Sequence, residues 1–406
     1  MSTDNTKKFL GRGITRNEDA RLLTGRALFV GDVDIPGMLH AVFLRSAFAH
    51  ASIRNIDVTA AKEVDGVVAV YTAEDLGDLW KPGPLLVPAP HSVENVVFNQ
   101  RTQVPMAKDK VRYVGEPLAV VIATDRYIAE DAAELIWVDY DPLEPVVDME
   151  KALEEGSPLI HEEIGTNLCA HLVQHKGDYA KARKQADLVI SRRFDIDRGA
   201  AAAMENRGLV AHWDERSQHL TVWDTTQAPI PVRNGLAAMF NLSQHQVRVI
   251  APFVGGGFGP KIMMFLANEV VIPWASMKLG KPIKWIEDRQ ENFIATTQER
   301  GQVHDVEMAL DSEGRILGIK DVFIHDTGAY DPYGMTVPLN TQSHAMSGYD
   351  IANIHSEVRV AYTNKMIVTP VRGAGRPQGI FVAERMLDIA APELGIDRTE
   401  IRKKNF

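Results

Sequence analysis

The apolar positions in the first third of the chain form short runs that are separated by polar turns. Runs rich in valine, leucine and isoleucine, such as residues 117–123, are typical of buried strands. Residues 127–134 instead have helical spacing, with acidic residues between the apolar ones. This alternation predicts an α/β domain over residues 21–147, after a polar extension over residues 1–20. The predicted strands of this domain are residues 38–44, 67–71, 117–123 and 135–140.

A second set of patterns begins after a stretch in which helix-like and loop-like pieces alternate. We interpret that stretch, residues 148–180, as a linker region and residues 181–406 as a second domain. The strongly apolar segment 262–279 predicts a buried helix that follows a glycine-rich loop. The proline-rich stretch 80–105 is interpreted as an irregular excursion rather than as a domain linker. The predicted strands of the second domain are residues 188–194, 219–223 and 247–250.

The end of the chain carries two helix signals. Residues 380–390 place their apolar side chains on one stripe and their charged side chains elsewhere, which predicts an amphipathic helix. Asp397 is followed three residues later by Glu400, as an N-cap residue is followed by its partner in the first helical turn. A final helix is therefore predicted to begin at Asp397.

Composition and charge limit the classes of function. At 406 residues, with 45% hydrophobic and 24% charged residues, the chain has the make-up of an ordinary soluble protein of two or three domains. Its formal net charge of −10 argues against nucleic acid or an anionic membrane as the main partner. No apolar run is long enough for a membrane span, and the polar start predicts no secretory signal. A single cysteine, Cys169, excludes an internal disulfide and a multi-cysteine metal site, so a cytoplasmic location is expected.

Two glycine-rich segments carry the candidate chemistry. The first glycine segment, residues 254–261, reads Val-Gly-Gly-Gly-Phe-Gly-Pro-Lys, and such a cluster by itself is often only a tight turn between a strand and a helix. A dinucleotide fingerprint would need a small residue where Pro260 stands. A Walker-type phosphate loop would need Ser or Thr after Lys261. Bare backbone can still bring its N–H groups close to a bulky anionic ligand.

The second glycine segment, residues 371–378, places Arg372 and Arg376 on either side of two glycines and an alanine. One interpretation is a solvated turn with two surface charges. Two guanidinium groups beside exposed amides also suit an anion. A third piece, residues 225–229, follows the end of a predicted strand. It places the neutral amide of Gln227 at that end of the strand.

The three pieces, in this order, resemble the molybdenum hydroxylases: xanthine dehydrogenase, aldehyde oxidoreductase and the large subunit of aerobic carbon monoxide dehydrogenase. Further resemblance lies in residues 11–25, 111–121, 204–208 and 385–388. The resemblance covers nearly the whole chain. It implies a mixed α/β fold, in which a hammerhead domain is followed by the first molybdopterin-binding domain of the family.

The resemblance also implies site residues. Gln227 would donate a hydrogen bond to an oxo ligand of molybdenum, the backbone around Phe258 would face the metal and the pterin, and Arg372 would lie beneath the centre. No protein side chain would ligate the metal. These three residues are the catalytic candidates. The implied cofactor-binding set is Gln227, Gly255, Gly256, Gly257, Phe258, Gly259, Arg372, Gly373, Ala374 and Gly375.

The sequence departs from the family in three ways. Copper-containing carbon monoxide dehydrogenases carry a cysteine where this chain has Gly373, so copper chemistry is not expected. Purine-oxidising members carry a glutamate where this chain has Ile262, which favours a less polar substrate. Family subunits are about twice as long, and their second half supplies a glutamate as general base. We therefore expect a second polypeptide to supply that base, with Glu205 and Glu269 structural.

The implied function is oxidation of a carbon centre, in an aldehyde or an N-heteroaromatic compound, with water as the oxygen donor. The implied cofactor is a molybdenum-pyranopterin, with a cytosine dinucleotide tail as the expected form. Electrons would leave to a 2Fe-2S centre and FAD on partner subunits. Two alternatives stay open: a non-catalytic remnant or assembly protein of the same fold and, disfavoured by Pro260, a nucleotide-binding dehydrogenase.

Overall fold

The computed structural model describes residues 10–11, 13–87, 96–262, 265–346 and 348–406. Sixteen strands lie in these ranges: β1 Leu39–Arg45, β2 Ala51–Asp57, β3 Val67–Thr72, β4 Val97–Phe98, β5 Lys110–Val111, β6 Pro117–Ala123, β7 Trp137–Pro142, β8 Leu168–Lys176, β9 Leu188–Gly199, β10 Gly208–Asp214, β11 His219–Asp224, β12 Val247–Ile250, β13 Ile283–Ile286, β14 Glu299–Leu310, β15 Ile316–Gly328 and β16 Asn353–Tyr362.

Ten α-helices lie in the same described ranges: α1 Asp19–Leu23, α2 Thr59–Lys62, α3 Arg126–Glu134, α4 Tyr179–Gln185, α5 Pro229–Met239, α6 Ala267–Leu279, α7 Arg289–Ala295, α8 Thr336–His344, α9 Arg376–Glu393 and α10 Arg398–Lys403. Of the helices in this part of the chain, none is both long enough and apolar enough to cross a membrane.

One seven-stranded sheet contains strands from both predicted domains. Its strand order is β12-β11-β10-β13-β1-β6-β3, and β1 pairs in parallel with β13, with Leu39 opposite Ile283. Every residue of β6 is buried, which explains its unbroken apolar sequence. Helix α3 packs on β1 and β6, and α6 packs on β10. Strands from both predicted domains therefore share one hydrophobic core, in which Trp285 is buried.

A second, six-stranded sheet has the order β4-β8-β16-β15-β14-β9, and β5, β2 and β7 form a small third sheet. Helix α9 packs on β9 and β14 and also against α8. Residues such as Met386 and Leu387 of α9 are fully buried there. The N-terminus of α9 follows directly on the second glycine segment, so this packing determines where that segment lies.

The predicted mixed α/β architecture is confirmed, and the element boundaries need corrections. The apolar segment 262–279 begins as a turn, because Ile262 N–H donates to Gly259 C=O, and helix α6 starts only at Ala267, where the Glu269 side chain caps Leu266 N–H. Residues 263–264 of this prediction lie outside the described residues. The strand predicted from residue 135 begins at Trp137, since α3 ends before it.

Helix α9 is longer at both ends than the predicted residues 380–390, and Asp397 caps α10 as expected by accepting from Thr399 and Glu400 N–H. Residues 1–9 and 12 of the predicted extension, and residues 88–95 of the predicted excursion, lie outside the described residues. The division into domains at residues 148–180 stays a prediction; β8, which lies in this range, pairs with β16.

Candidate functional site

Gln227 lies three residues beyond the end of β11, immediately before α5. Its side-chain Oε1 accepts a hydrogen bond from Gly259 N–H at 2.7 Å, and its backbone N–H donates to Lys261 C=O at 2.7 Å. The side chain is exposed. Because Oε1 is the acceptor here, the amide nitrogen Nε2 is the end that is left to donate. Gln227 therefore presents a neutral donor beside the first glycine segment.

The first glycine segment needs its glycines because other backbone and side-chain atoms crowd it. A Cβ at Gly257 would lie 2.5 Å from the Gln227 side chain, and a Cβ at Gly259 would lie 1.9 Å from Pro370 C=O. Gly259 also has a φ of +121°, which residues with a side chain rarely adopt. Phe258, between them, has a φ of 55° and is 41% exposed. Its ring is held at the surface by a strained backbone.

The two glycine segments are in direct contact. Arg372 N–H donates to Phe258 C=O at 2.7 Å, and Gly259 packs on residues 370–371. Together with the bond between Gln227 and Gly259, this contact brings all three sequence pieces into one place, although they are far apart along the chain. Gly255 and Gly256 complete the same loop, where Gly255 N–H donates to Glu205 Oε2 at 2.7 Å.

The second glycine segment turns sharply into α9. Gly373, Ala374 and Gly375 have φ values of 108°, 50° and 94°. A Cβ at Gly373 would lie 2.5 Å from the Pro377 ring, and one at Gly375 would lie 2.1 Å from Val337 C=O of α8. Ala374 takes the left-handed conformation despite its Cβ, which indicates local strain. The segment is therefore pressed against α8 while its other side stays open.

Both arginines of the second segment are exposed. Arg376 donates to Gly373 C=O at 3.3 Å. Within the described residues, the Arg372 guanidinium has no carboxylate partner. Two cations therefore lie at the N-terminus of the 18-residue helix α9, whose own partial charge is positive. This combination suits an anionic group.

Buried charged groups lie beneath the first segment, and sequence reasoning assigned them no role at the site. Lys261 pairs with Glu205, and burial lowers the pKa of its ammonium while the Glu205 charge opposes that shift. Asp224, at the end of β11, is buried, and burial together with the nearby Glu269 raises its pKa well above the usual range. The only signal in the sequence was the position of Asp224 and Glu205 next to motif residues.

A large cleft lies elsewhere. Its volume is about 1120 Å³, and it is lined by residues of β9, β14, β15 and neighbouring loops, including Arg198, Asp326 and Lys365. None of its lining residues belongs to the two glycine segments or is Gln227. Asp326 forms ion pairs with both of these cations, so neither of them is left without a carboxylate partner for an anionic ligand to replace. The glycine segments remain the better candidate site.

Comparison with known families matches most of the chain. Residues 160–406 match the model of the molybdopterin cofactor-binding domain. Residues 24–144 match the model of the aldehyde oxidase and xanthine dehydrogenase a/b hammerhead domain. Both glycine segments and Gln227 fall within the first of these matches. The implied hammerhead domain followed by a molybdopterin-binding domain is confirmed.

Individual relatives support the same family assignment. The chain is 38% identical to the 6-hydroxypseudooxynicotine dehydrogenase complex subunit gamma of Paenarthrobacter nicotinovorans, over 99% of this chain and 50% of that protein. It superimposes on quinoline 2-oxidoreductase from Pseudomonas putida 86 with a TM-score of 0.91 and 36% identity, over 98% of this chain and 50% of that one. The chain thus spans about half the length of these relatives.

A relative of similar length also exists. The nicotinate dehydrogenase large molybdopterin subunit of Eubacterium barkeri is 30% identical over 98% of this chain and 89% of that protein. The chain belongs to the aldehyde oxidase and xanthine dehydrogenase family of molybdenum hydroxylases, in which it corresponds to the N-terminal half of the molybdopterin-binding subunit.

Proposed function

We propose that this chain forms half of the active site of a molybdenum hydroxylase. In this proposal Gln227, the backbone of residues 255–259 and residues 372–375 hold a molybdenum-pyranopterin. The observation that supports it most is the convergence of Gln227, the first glycine segment and Arg372. Gly259 N–H donates to Gln227 Oε1, and Arg372 N–H donates to Phe258 C=O, each at 2.7 Å. The donor end of the Gln227 amide and the exposed Arg372 guanidinium, which has no carboxylate partner among the described residues, fit a group with oxo ligands and anionic charge.

The cofactor, when bound, supplies a metal that accepts two electrons while water provides the oxygen atom. The residues of this chain bind the cofactor and polarise its ligands. Gln227 Nε2 donates a hydrogen bond without adding a competing ligand, because the lone pair of an amide nitrogen is delocalised into the carbonyl group and the amide oxygen already accepts from Gly259 N–H. Arg372 and Arg376 offset negative charge at the N-terminus of α9. Phe258 is 41% exposed in the same segment, so its ring is accessible to a bound group.

The substrate is proposed to be an aldehyde or an N-heteroaromatic compound. Ile262 packs with Leu86 and Val87, all three only partly buried, against the apolar cluster that contains Tyr330 and Tyr333. An apolar edge of the site at Ile262 favours an uncharged, flat substrate over a polar purine. Relatives whose names mention quinoline and nicotinate point to the same class.

Copper chemistry is not part of the proposal. The position where copper-containing relatives would need a cysteine is Gly373, whose φ is 108° and whose Cβ would meet the Pro377 ring at 2.5 Å. Any side chain there would be strained in this backbone. The departure at Gly373 is thus built into the shape of the turn.

The remaining parts of the enzyme are proposed to come from other polypeptides. A second molybdopterin-binding chain would supply the general base and the remaining cofactor contacts, and other subunits would carry 2Fe-2S and FAD. The similar-length relative named as a molybdopterin subunit, and the relative named as subunit gamma of a complex, support this arrangement. The cytosine dinucleotide form of the cofactor and a cytoplasmic location belong to the same proposal.

The alternative is a non-catalytic remnant or assembly protein of the same fold. A scaffold has no use for an exposed Gln227 and two strained segments that meet. Metal analysis separates the two: the chain is purified with the subunits that accompany it, and molybdenum and pterin are measured. About one molybdenum and one pterin per chain supports the enzyme, and their absence from the assembled material supports the alternative.

A further inference from the structure

The carboxylate of Glu205 bonds to both ends of the first glycine segment. Its Oε2 accepts from Gly255 N–H at 2.7 Å and from Lys261 Nζ at 3.2 Å. The backbone of Glu205 repeats the pattern, since its N–H donates to Gly255 C=O at 3.1 Å and its C=O accepts from Lys261 Nζ at 2.8 Å. One residue therefore closes the loop from Gly255 to Lys261 into a ring.

This contact is tight and compensates a buried charge. The Lys261 side chain is 3% exposed and the Glu205 side chain 19% exposed. A Cβ at Gly255 would lie 2.5 Å from Glu205 Cβ, so the loop rests directly on this residue. A buried ammonium that loses its carboxylate is strongly destabilised. The loop cannot move away from Glu205 without that loss.

The ring also fixes Gln227. Lys261 C=O accepts from Gln227 N–H, and Gln227 Oε1 accepts from Gly259 N–H inside the ring. A displacement of Lys261 thus moves the amide of Gln227 relative to the backbone of residues 257–259. These are the groups assigned to the cofactor above.

We infer that Glu205 and Lys261, the loop clamp, are positioning residues that hold Gln227 and the first glycine segment in the geometry that retains the pterin. A positioning role is thereby added to the structural role expected for Glu205. The inference rests on the proposed function. Neither clamp residue is required to touch the cofactor or the substrate.

The test uses the chain purified with its accompanying subunits, as wild type and as Glu205→Gln, Lys261→Met and the double variant. Glu205→Gln keeps an acceptor for Gly255 N–H but removes the charge. Glu291→Gln is the matched control, because Glu291 pairs with Arg45 at 2.6 Å with side chains 16% and 9% exposed. Pterin is measured as its fluorescent oxidation product and molybdenum as metal per chain, together with Tm.

We expect each single clamp variant to lower pterin and molybdenum content at least ~5-fold, as loss of a supporting contact around a metal centre does. Glu291→Gln should keep the wild-type content with a similar change in Tm. The double variant should lose no more than the worse single variant, because the two residues act through one contact.

Glu205→Gln with the pterin content of Glu291→Gln would overturn the clamp, and so would losses that multiply in the double variant. If a single variant does not fold, the double variant decides, since it leaves no buried charge unpaired. A soluble double variant with wild-type pterin content, or an insoluble one, would contradict the inference. Absence of pterin from the wild type would contradict the proposed function itself.

Discussion

The side-chain amide of Gln227 has two different ends. Its oxygen is used inside the protein, on Gly259 N–H, and its nitrogen is left for a ligand. The same division of labour holds at Phe258, whose carbonyl binds Arg372 N–H while its ring stays 41% exposed. At both residues, a hydrogen bond within the protein fixes the local shape, and part of the side chain stays exposed.

Replacing Gln227 with Ala should slow turnover of the assembled enzyme by about 10- to 100-fold. The free energy of unfolding should fall by only about 1 kcal/mol, because one hydrogen bond of an exposed side chain is lost. Glu at this position is the informative companion, since it keeps the acceptor for Gly259 N–H and removes the outward donor. Turnover of Gln227→Glu that matches wild type would contradict the donor role.

Helix α8 contacts the second glycine segment and helps to fix its position. Thr341 of this helix is fully buried; its hydroxyl lies 3.1 Å from Gln302 Nε2 and 3.2 Å from Gly375 C=O. Gln302 in turn contacts His304, which pairs with Asp321. A buried polar network of this kind fixes one arrangement of the elements it joins. It links the six-stranded sheet to the turn before α9.

Replacing Thr341 with Val keeps the shape and removes the hydroxyl, which leaves Gln302 short of a buried partner. The free energy of unfolding should fall by about 1–3 kcal/mol in urea titrations. Ser343→Ala on the same helix removes an exposed hydroxyl that bonds Leu339 C=O, and it should cost less than about 0.5 kcal/mol. Equal losses of unfolding free energy from the two substitutions would contradict a stabilising role of the network.

The elements themselves were largely predictable, and the contacts between them were not. The unbroken apolar run of residues 117–123 identified β6, because a strand that is buried throughout leaves that pattern, and Asp397 identified the start of α10. The predicted beginning of α6 was wrong because Ile262 lies in a turn, in which its N–H donates to Gly259 C=O, and the helix begins only at Ala267. The Glu205 contact was missed because it joins two segments whose proximity only the fold creates.

At the scale of the whole molecule, several ionisable groups are buried within the fold, among them His325 and Asp331. His325 of β15 is buried, and burial lowers its pKa to about 3. Asp331, also buried, has its pKa raised to about 6 by the same cause. The neutral forms of both groups are favoured in the folded protein, so they respond to acid in opposite directions.

Stability should therefore depend on His325 as the pH falls. The unfolded chain protonates this histidine near pH 6.5 and the folded chain only near pH 3, so its contribution is present above 6.5 and is lost toward 3. Between pH 6.5 and 5 the loss is about 2 kcal/mol. His325→Gln removes this term and leaves that of Asp331 unchanged. Identical pH profiles of unfolding free energy for the two proteins would contradict the burial argument.

The most direct measurement is anomalous X-ray diffraction at the molybdenum edge from crystals of the chain with its accompanying subunits. The account predicts one molybdenum peak per chain, beside Gln227 and the backbone of Phe258, with Arg372 beneath it and no side chain of this chain bonded to the metal. A peak in the cleft lined by Arg198 and Asp326, or ordered glycine segments with no metal beside them, would contradict it.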